Sequence, residues 1–279
     1  MKFSERIGIT KAKDSIQLEY IDDDLKNGLW NIFHAYYLDN CKERHIIYSD
    51  LHGLIIEIWH NFFKKPIDEI PPETRNVKSE LRTWFFGCEW FELYNFIEFC
   101  SNNDSFDIEA IIDSYNDILK REVSGYRFVN GLISPITSEV EINEIDEAIN
   151  DSNDKNLIGV KTHLENSLKM LSHKSSPDYR NSIKESISAV ESISKTLSST
   201  SKNSLSSALD KIKGKIKLHS ALEKGFKQIY GYTSDGDGIR HALMEESNCD
   251  FEDAKYMLVS CSAFVNYLIS KGTKTGLLK

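Results

Sequence analysis

Apolar residues recur at intervals of three and four along most of this chain, the spacing that lines one face of an α-helix. The first such stripe is Leu25, Leu29, Ile32, Phe33 and Tyr36, with the acid cluster Asp22, Asp23 and Asp24 placed to cap it. Before it, Ser15 to Tyr20 reads as one short strand. A second helix is predicted from Ile47 to Phe63 on Leu51, Leu54, Ile55, Ile58, Trp59 and Phe62, after which Pro66, Pro71 and Pro72 interrupt. One long helix is then expected from Glu73 to Cys100. Its bulky residues, among them Leu81, Trp84, Phe85, Trp90, Tyr94 and Phe96, mark it as the centre of the first core. A further helix spans Asp107 to Glu122. The pair Asn130-Gly131 between two apolar runs predicts a hairpin over Tyr126 to Ile136, with Pro135 confining its second strand to an edge.

Residues 137–156 are polar and acidic, with a short helix expected around Ile142 to Ile149, and they join two halves of different character. Beyond them the pattern is helical throughout, with helices over Asn156 to Leu171, Asp178 to Leu197, Leu205 to Ile216, Ser220 to Tyr230, one opening at Ile239, and Phe251 to Ser270. Ser198 to Ser204 is the most loop-like stretch. The expected architecture is mainly α, two helical parts with a small β-hairpin between them: residues 1–137, a linker over 138–155, and a helical bundle over 156–279.

Charge sharpens the division. Residues 1–150 carry 15 Lys and Arg against 28 Asp and Glu, whereas residues 151–279 carry 19 against 15, so contact with a phosphate backbone is expected in the second half. No apolar run approaches the roughly 18 residues that a bilayer demands, which predicts no membrane association. The start, Met-Lys-Phe-Ser-Glu-Arg-Ile-Gly, has no apolar signal core, so a cytoplasmic location is expected. Five widely spaced cysteines, Cys41, Cys88, Cys100, Cys249 and Cys261, read as reduced, buried thiols. Cys41, His45, His52 and His60 fit no compact zinc spacing, and no metal or cofactor is expected. The phosphate-loop, dinucleotide, nucleophile-elbow and HExxH signatures do not occur.

The stretch most suggestive of chemistry is Tyr230 to Leu243. Its glycines and aspartates form a tight loop, and Arg240 and His241 fall in the first turn of the helix that follows. Backbone N–H groups and the dipole at a helix start attract anions, arginine grips phosphate, and histidine moves protons near neutral pH. A plain turn, with Arg240 paired to Glu245 or Glu246 and His241 packed, reads the same residues differently. A calcium loop does not fit, because Ile239 and Arg240 stand where a ligand and a glycine are needed. On the helix from Asp178, Ile183, Ile187, Val190, Ser194 and Leu197 form the core stripe, Arg180 and Glu191 lie to one side of it, and Glu185 is expected on the opposite face. Arg180 is thus the expected partner of the Arg240-His241 loop, with Glu191 to orient either arginine. Surface ion pairing accounts for them equally. Lys211, Lys213, Lys215 and Lys217, with Lys224 and Lys227 shortly after, form the densest basic patch, which suits RNA binding or an ordinary solvated face.

With these residues in view, the chain resembles the AbiJ-type abortive-infection N-terminal domain proteins of the fourth type, placed in the HEPN superfamily. The resemblance covers nearly the whole length. It rests on Phe3-Ser-Glu-Arg6, on Asp22 to Asn31, on Pro177 to Glu191, on Tyr230 to Ser234 with Gly238 to Leu243, and on Asp250 to Ser260. It implies a HEPN-like helical bundle in the second half and a metal-independent endoribonuclease of antiphage defence. The implied partners are RNA, with tRNA a candidate, a second copy in a homodimer or larger homo-oligomer, and a partner defence protein. HEPN ribonucleases carry Arg-x4-6-His, with the histidine serving the ribose 2′-OH and leaving oxygen and the arginine stabilising charge on phosphorus. Arg180-Asn181 looks like the start of that motif, yet Glu185, Ser186 and Ile187 stand where its histidine would. The nearest substitute is His241, so the expected catalytic set is His241, Arg240, Arg180 and Glu191. The same scaffold could bind RNA or a nucleotide without cutting, or serve only in assembly.

Overall fold

Asp22 starts the first helix by satisfying one of its unpaired donors. Its backbone is extended (φ −79°, ψ 170°), and its carboxylate accepts the Leu25 N–H at 2.9 Å. The structure is a computed structural model that describes residues 3, 16–39, 41–102, 108–173, 177–199, 205–235 and 249–278. The chain divides into two units, Met1–Thr137 and Ser138–Lys279. The described residues include eleven α-helices and one two-stranded hairpin, a mainly α fold with the small β element between helical parts.

In the first unit, α1 (Asp23–Phe33) buries Leu25, Leu29, Trp30 and Phe33 and continues into a π-helical turn, His34–Leu38. The strand expected before it is a single parallel bridge between Gln17 and Ser124. Gln17 is instead a side-chain clasp, donating to the Glu122 carbonyl at 2.7 Å and accepting the Asp22 N–H at 2.8 Å. The helix expected over Ile47 to Phe63 is divided into a 3-10 turn (Ile46–Tyr48), α2 (His52–Glu57) and a π-helical turn (Ile58–Phe62). Ser49 explains the first break: its hydroxyl and its backbone N–H both bond the Ile46 carbonyl.

The single long helix expected over Glu73 to Cys100 is two, α3 (Thr74–Gly87) and α4 (Trp90–Ser101). Cys88 is extended between them, and Glu89 and Glu92 form a reciprocal capping box that starts α4. The apolar spacing runs unbroken across the joint because both helices face one core. At its centre is Phe96, with ring centroids 5.0 Å from Phe33, 5.4 Å from Phe62 and 5.1 Å from Trp84. Helix α5 (Ile108–Arg121) closes that core with Ile111, Tyr115 and Leu119. Strands β1 (Arg127–Val129) and β2 (Leu132–Ser134) pair antiparallel, and the turn has positive φ at both Asn130 (45°) and Gly131 (76°), as Asn-Gly hairpins require.

The second unit opens with α6 (Glu139–Asp154), which occupies the stretch expected as a linker. It is four turns long, and Ile142, Ile145, Ala148 and Ile149 are buried, so it is part of the packed bundle. Helices α7 (Ile158–Ser172), α8 (Tyr179–Ser198), α9 (Leu205–Ile212), α10 (Ser220–Asp235) and α11 (Phe251–Lys274) follow. Helix α8 is the axis, packed by α7, α9 and α11. Small hydroxyl side chains permit this. Ser167 on α7 donates to the Ser182 carbonyl at 2.9 Å and lies 2.7 Å from the Ser186 hydroxyl, while Ser182 donates back to the Ser167 carbonyl at 2.9 Å. Helices α8 and α11 run parallel, with Tyr179 against Phe251 at one end and Leu197 against Gly272 at the other.

Two glycines offer opposed tests of this packing. A Cβ on Gly28, inside α1, would lie 2.5 Å from Cγ2 of Ile118, whereas one on Gly53, in α2, would meet nothing within 4 Å. Alanine gains about 1 kcal/mol of helix propensity at either site, and overpacking costs about 1–3 kcal/mol at the first. Gly53→Ala is therefore expected to raise the midpoint of denaturant unfolding and Gly28→Ala to lower it. A stabilised Gly28→Ala would refute the close α1–α5 approach.

Candidate functional site

The helix that carries Arg180 and Glu191 begins with Asp178, whose carboxylate accepts the Asn181 N–H at 3.0 Å. Both side chains are half-buried at the margins of α8, and the stripe Ile183, Ile187, Val190, Ser194 and Leu197 is buried as its spacing predicts. Eleven residues separate Arg180 from Glu191, roughly 16 Å of helical rise. Glu191 stands beside Lys195 at 3.5 Å. Arg240 and His241 lie outside the described residues, as does the helix expected to open at Ile239.

The flanks of that segment are described. Tyr232 on α10 feels Asp253, Cys249 and Asp250, and burial followed by these negative neighbours pushes its phenol up from its ordinary value. Asp250 and Asp253 form the capping box of α11. Tyr179, the residue before Arg180, has its ring centroid 6.3 Å from that of Phe251. Arg180 therefore belongs to the bundle end where the chain leaves α10 and enters α11.

Glu185 is not on an open opposite face. It is half-buried, and its carboxylate is 2.8 Å from Nδ1 of His163 on α7. The face opposite the stripe is covered because three helices surround α8 and leave it little open surface. His163 escaped sequence reasoning altogether. Its position at the edge of the stripe Val160, Leu164, Leu168 and Leu171 is visible, but its partner is fixed only by the α7–α8 register.

The basic patch is split. Lys213 pairs with Asp210 at 3.0 Å and with the nearly buried Glu223 at 3.6 Å, and Lys227 joins the same two carboxylates at 2.9 and 2.6 Å. Lys213 thus spends its charge within the fold, whereas Lys211, Lys215, Lys217 and Lys224 are exposed and take no carboxylate among the described residues. Hydrogen bonds from Lys227 first and Lys213 second hold the Asp210 carboxyl down at about 2. Burial pushes the Cys100 thiol up, drives Cys261 up to about 12, and is the main cause that takes Cys88 to about 11.

A family model described as AbiJ N-terminal domain 4 matches residues 1–151. No curated protein and no solved structure matches the chain.

Because the Asp210 carboxyl is depressed when folded, its contribution to stability is complete above the ordinary carboxylate range and is lost as pH falls through about 2. Carboxyl chemical shifts followed by NMR should place its midpoint near 2 in the unaltered chain and move it upward, towards about 4, in Lys227→Met. An unmoved midpoint would show that Lys227 is not the principal partner.

Proposed function

The chain belongs to the AbiJ N-terminal domain 4 family, which marks it as an abortive-infection defence protein, and we propose that its second unit cleaves RNA without a metal ion. One observation carries the reading. Arg180, the end of α10 at Tyr232 and the start of α11 at Cys249 to Asp253 gather at one end of the bundle. Those last two are the flanks of the segment bearing Arg240 and His241. In sequence, His241 follows Tyr232 by nine residues and precedes Cys249 by eight. This convergence supports a shared site of Arg180, Arg240 and His241, in keeping with the HEPN resemblance.

In this site His241 takes the proton of a ribose 2′-OH, and that oxygen attacks the adjoining phosphorus. The bond to the 5′ oxygen breaks, leaving a 2′,3′-cyclic phosphate, and the departing oxygen regains a proton. Arg240 and Arg180 stabilise the charge that builds on the phosphoryl oxygens. Lys211, Lys215, Lys217 and Lys224 hold the RNA backbone, and a second copy of the chain completes the assembly. A second reading, RNA binding without cleavage, is favoured by Glu185, which stands where the motif's histidine would and is paired with His163.

The test is cleavage of total RNA and of tRNA in EDTA by the purified chain. His241→Ala, Arg240→Ala, Arg180→Ala, Glu191→Gln and His163→Ala are run beside it. The unaltered chain should leave 2′,3′-cyclic ends, and His241→Ala and Arg240→Ala should each lose on the order of a hundredfold or more in rate. Glu191→Gln tests whether so distant a carboxylate belongs to the site. Loss confined to His163→Ala would move the imidazole to α7. An inert chain whose RNA binding is weakened by Arg240→Ala would replace cleavage by binding.

A further inference from the structure

The first unit belongs to the acidic stretch of the chain, with 15 Lys and Arg against 28 Asp and Glu over residues 1–150, yet one of its clefts is lined by no carboxylate at all. This cleft, about 540 Å³, lies between α1 and α3. Helix α3 contributes Arg75, Lys78 and Arg82, three cations at helical spacings of three and four, and α1 with the turn after it contributes Asn27, Trp30 and His34. Like charges stacked along one helix face repel one another, so the arrangement opposes helix stability unless an anion relieves it.

The cations are held differently. The Arg82 guanidinium sits over two rings, 4.6 Å from the centroid of Phe86 and 5.4 Å from that of Trp30, and pairs with no carboxylate among the described residues. Cation–π attraction to these rings holds the group without using its N–H donors on a carboxylate. Lys78 donates to the carbonyls of Leu38 at 2.5 Å and Cys41 at 3.0 Å, which uses two of its three protons and pins the ammonium in place. Arg75 is braced by Glu73 at 2.7 Å. A second cleft of about 430 Å³ shares Arg75 and Lys78 and is of mixed charge, with Lys42 and Arg44 beside Glu43 and Glu73.

We propose that this cleft binds a nucleotide di- or triphosphate, with Arg82, Lys78 and Arg75 on the phosphate chain. Charge-assisted donors suit phosphate oxygens, and of the three only Arg75 has a carboxylate partner, Glu73, which lies outside the lining of the cleft. The absence of an acidic lining means that the cations themselves, and no bridging metal, neutralise the chain of phosphates. The bounded volume suits a small ligand, and the acidic surroundings repel a long polyanion beyond the cleft. The side-chain amide of Asn27 supplies a donor and an acceptor for a base edge, and the exposed His34 ring supplies a stacking face. The first unit thereby gains a ligand of its own, independently of any RNA chemistry in the second.

The experiment is isothermal titration calorimetry of the full chain in EDTA with ATP, inorganic triphosphate, adenosine and a short single-stranded RNA. Arg82→Gln and Arg75→Gln, both at exposed positions, serve as variants, with circular dichroism to verify folding. ATP should bind more tightly than triphosphate, adenosine should not bind measurably, and each variant should weaken ATP binding by at least about tenfold. The proposal falls if ATP does not bind, if folded Arg82→Gln binds it unchanged, if triphosphate outbinds it, or if the RNA displaces it at equal phosphate concentration. These readings involve no cleavage, so an inert ribonuclease assay leaves them intact.

Discussion

The ring of Phe96 is the contact on which the first unit depends. It touches Phe33 from α1, Phe62 from the π-helical turn after α2, and Trp84 and Phe85 from α3, so one side chain pins three segments to α4. Because Phe33 and Phe85 are held there, Trp30 meets Phe85 at 5.2 Å and α1 lies beside α3 in a fixed register. That register sets the basic cleft, since Arg82 rests on the outward side of the same aromatic layer. A packing requirement of the core thus becomes the geometry of an anion site.

The second unit solves a different problem. Its central helix must accept neighbours on several sides, and it does so with serine, whose small side chain lets backbones approach and whose hydroxyl bonds a carbonyl across the interface. The parallel run of α8 and α11 then brings two helix starts to one end. Each start is capped by its own aspartate, Asp178 and Asp250, which already occupies backbone donors there. A phosphate at this end therefore depends on arginine side chains more than on free helix termini.

Much of this architecture was legible. The Asp22 cap, the Asn130-Gly131 turn and the stripe from Ile183 to Leu197 follow from local rules that tertiary context did not override. The break between α3 and α4 was not, because Gly87 and the Glu89–Glu92 box interrupt the backbone without interrupting the apolar spacing. The site was legible only in part: Arg180 could be ranked, but Glu185 and His163 meet through a pairing of helices that no periodicity encodes. Nor did charge counts reveal the basic cleft. A net acidic half conceals three cations that the α1–α3 packing gathers along one cleft with Trp30.

The buried thiols have a practical consequence. Cys100 and Cys261 are shut inside the two cores, and the half-exposed Cys88 has its thiol pushed up to about 11, which slows its labelling and leaves the half-exposed Cys41 and Cys249 as the other candidates. Cys41 lines the neighbouring cleft that shares Arg75 and Lys78 with the basic one, and Cys249 stands at the entry to α11. Covalent labelling would thus carry two spectroscopic reporters, one beside each place where the protein is proposed to meet phosphate, with no engineering of the sequence.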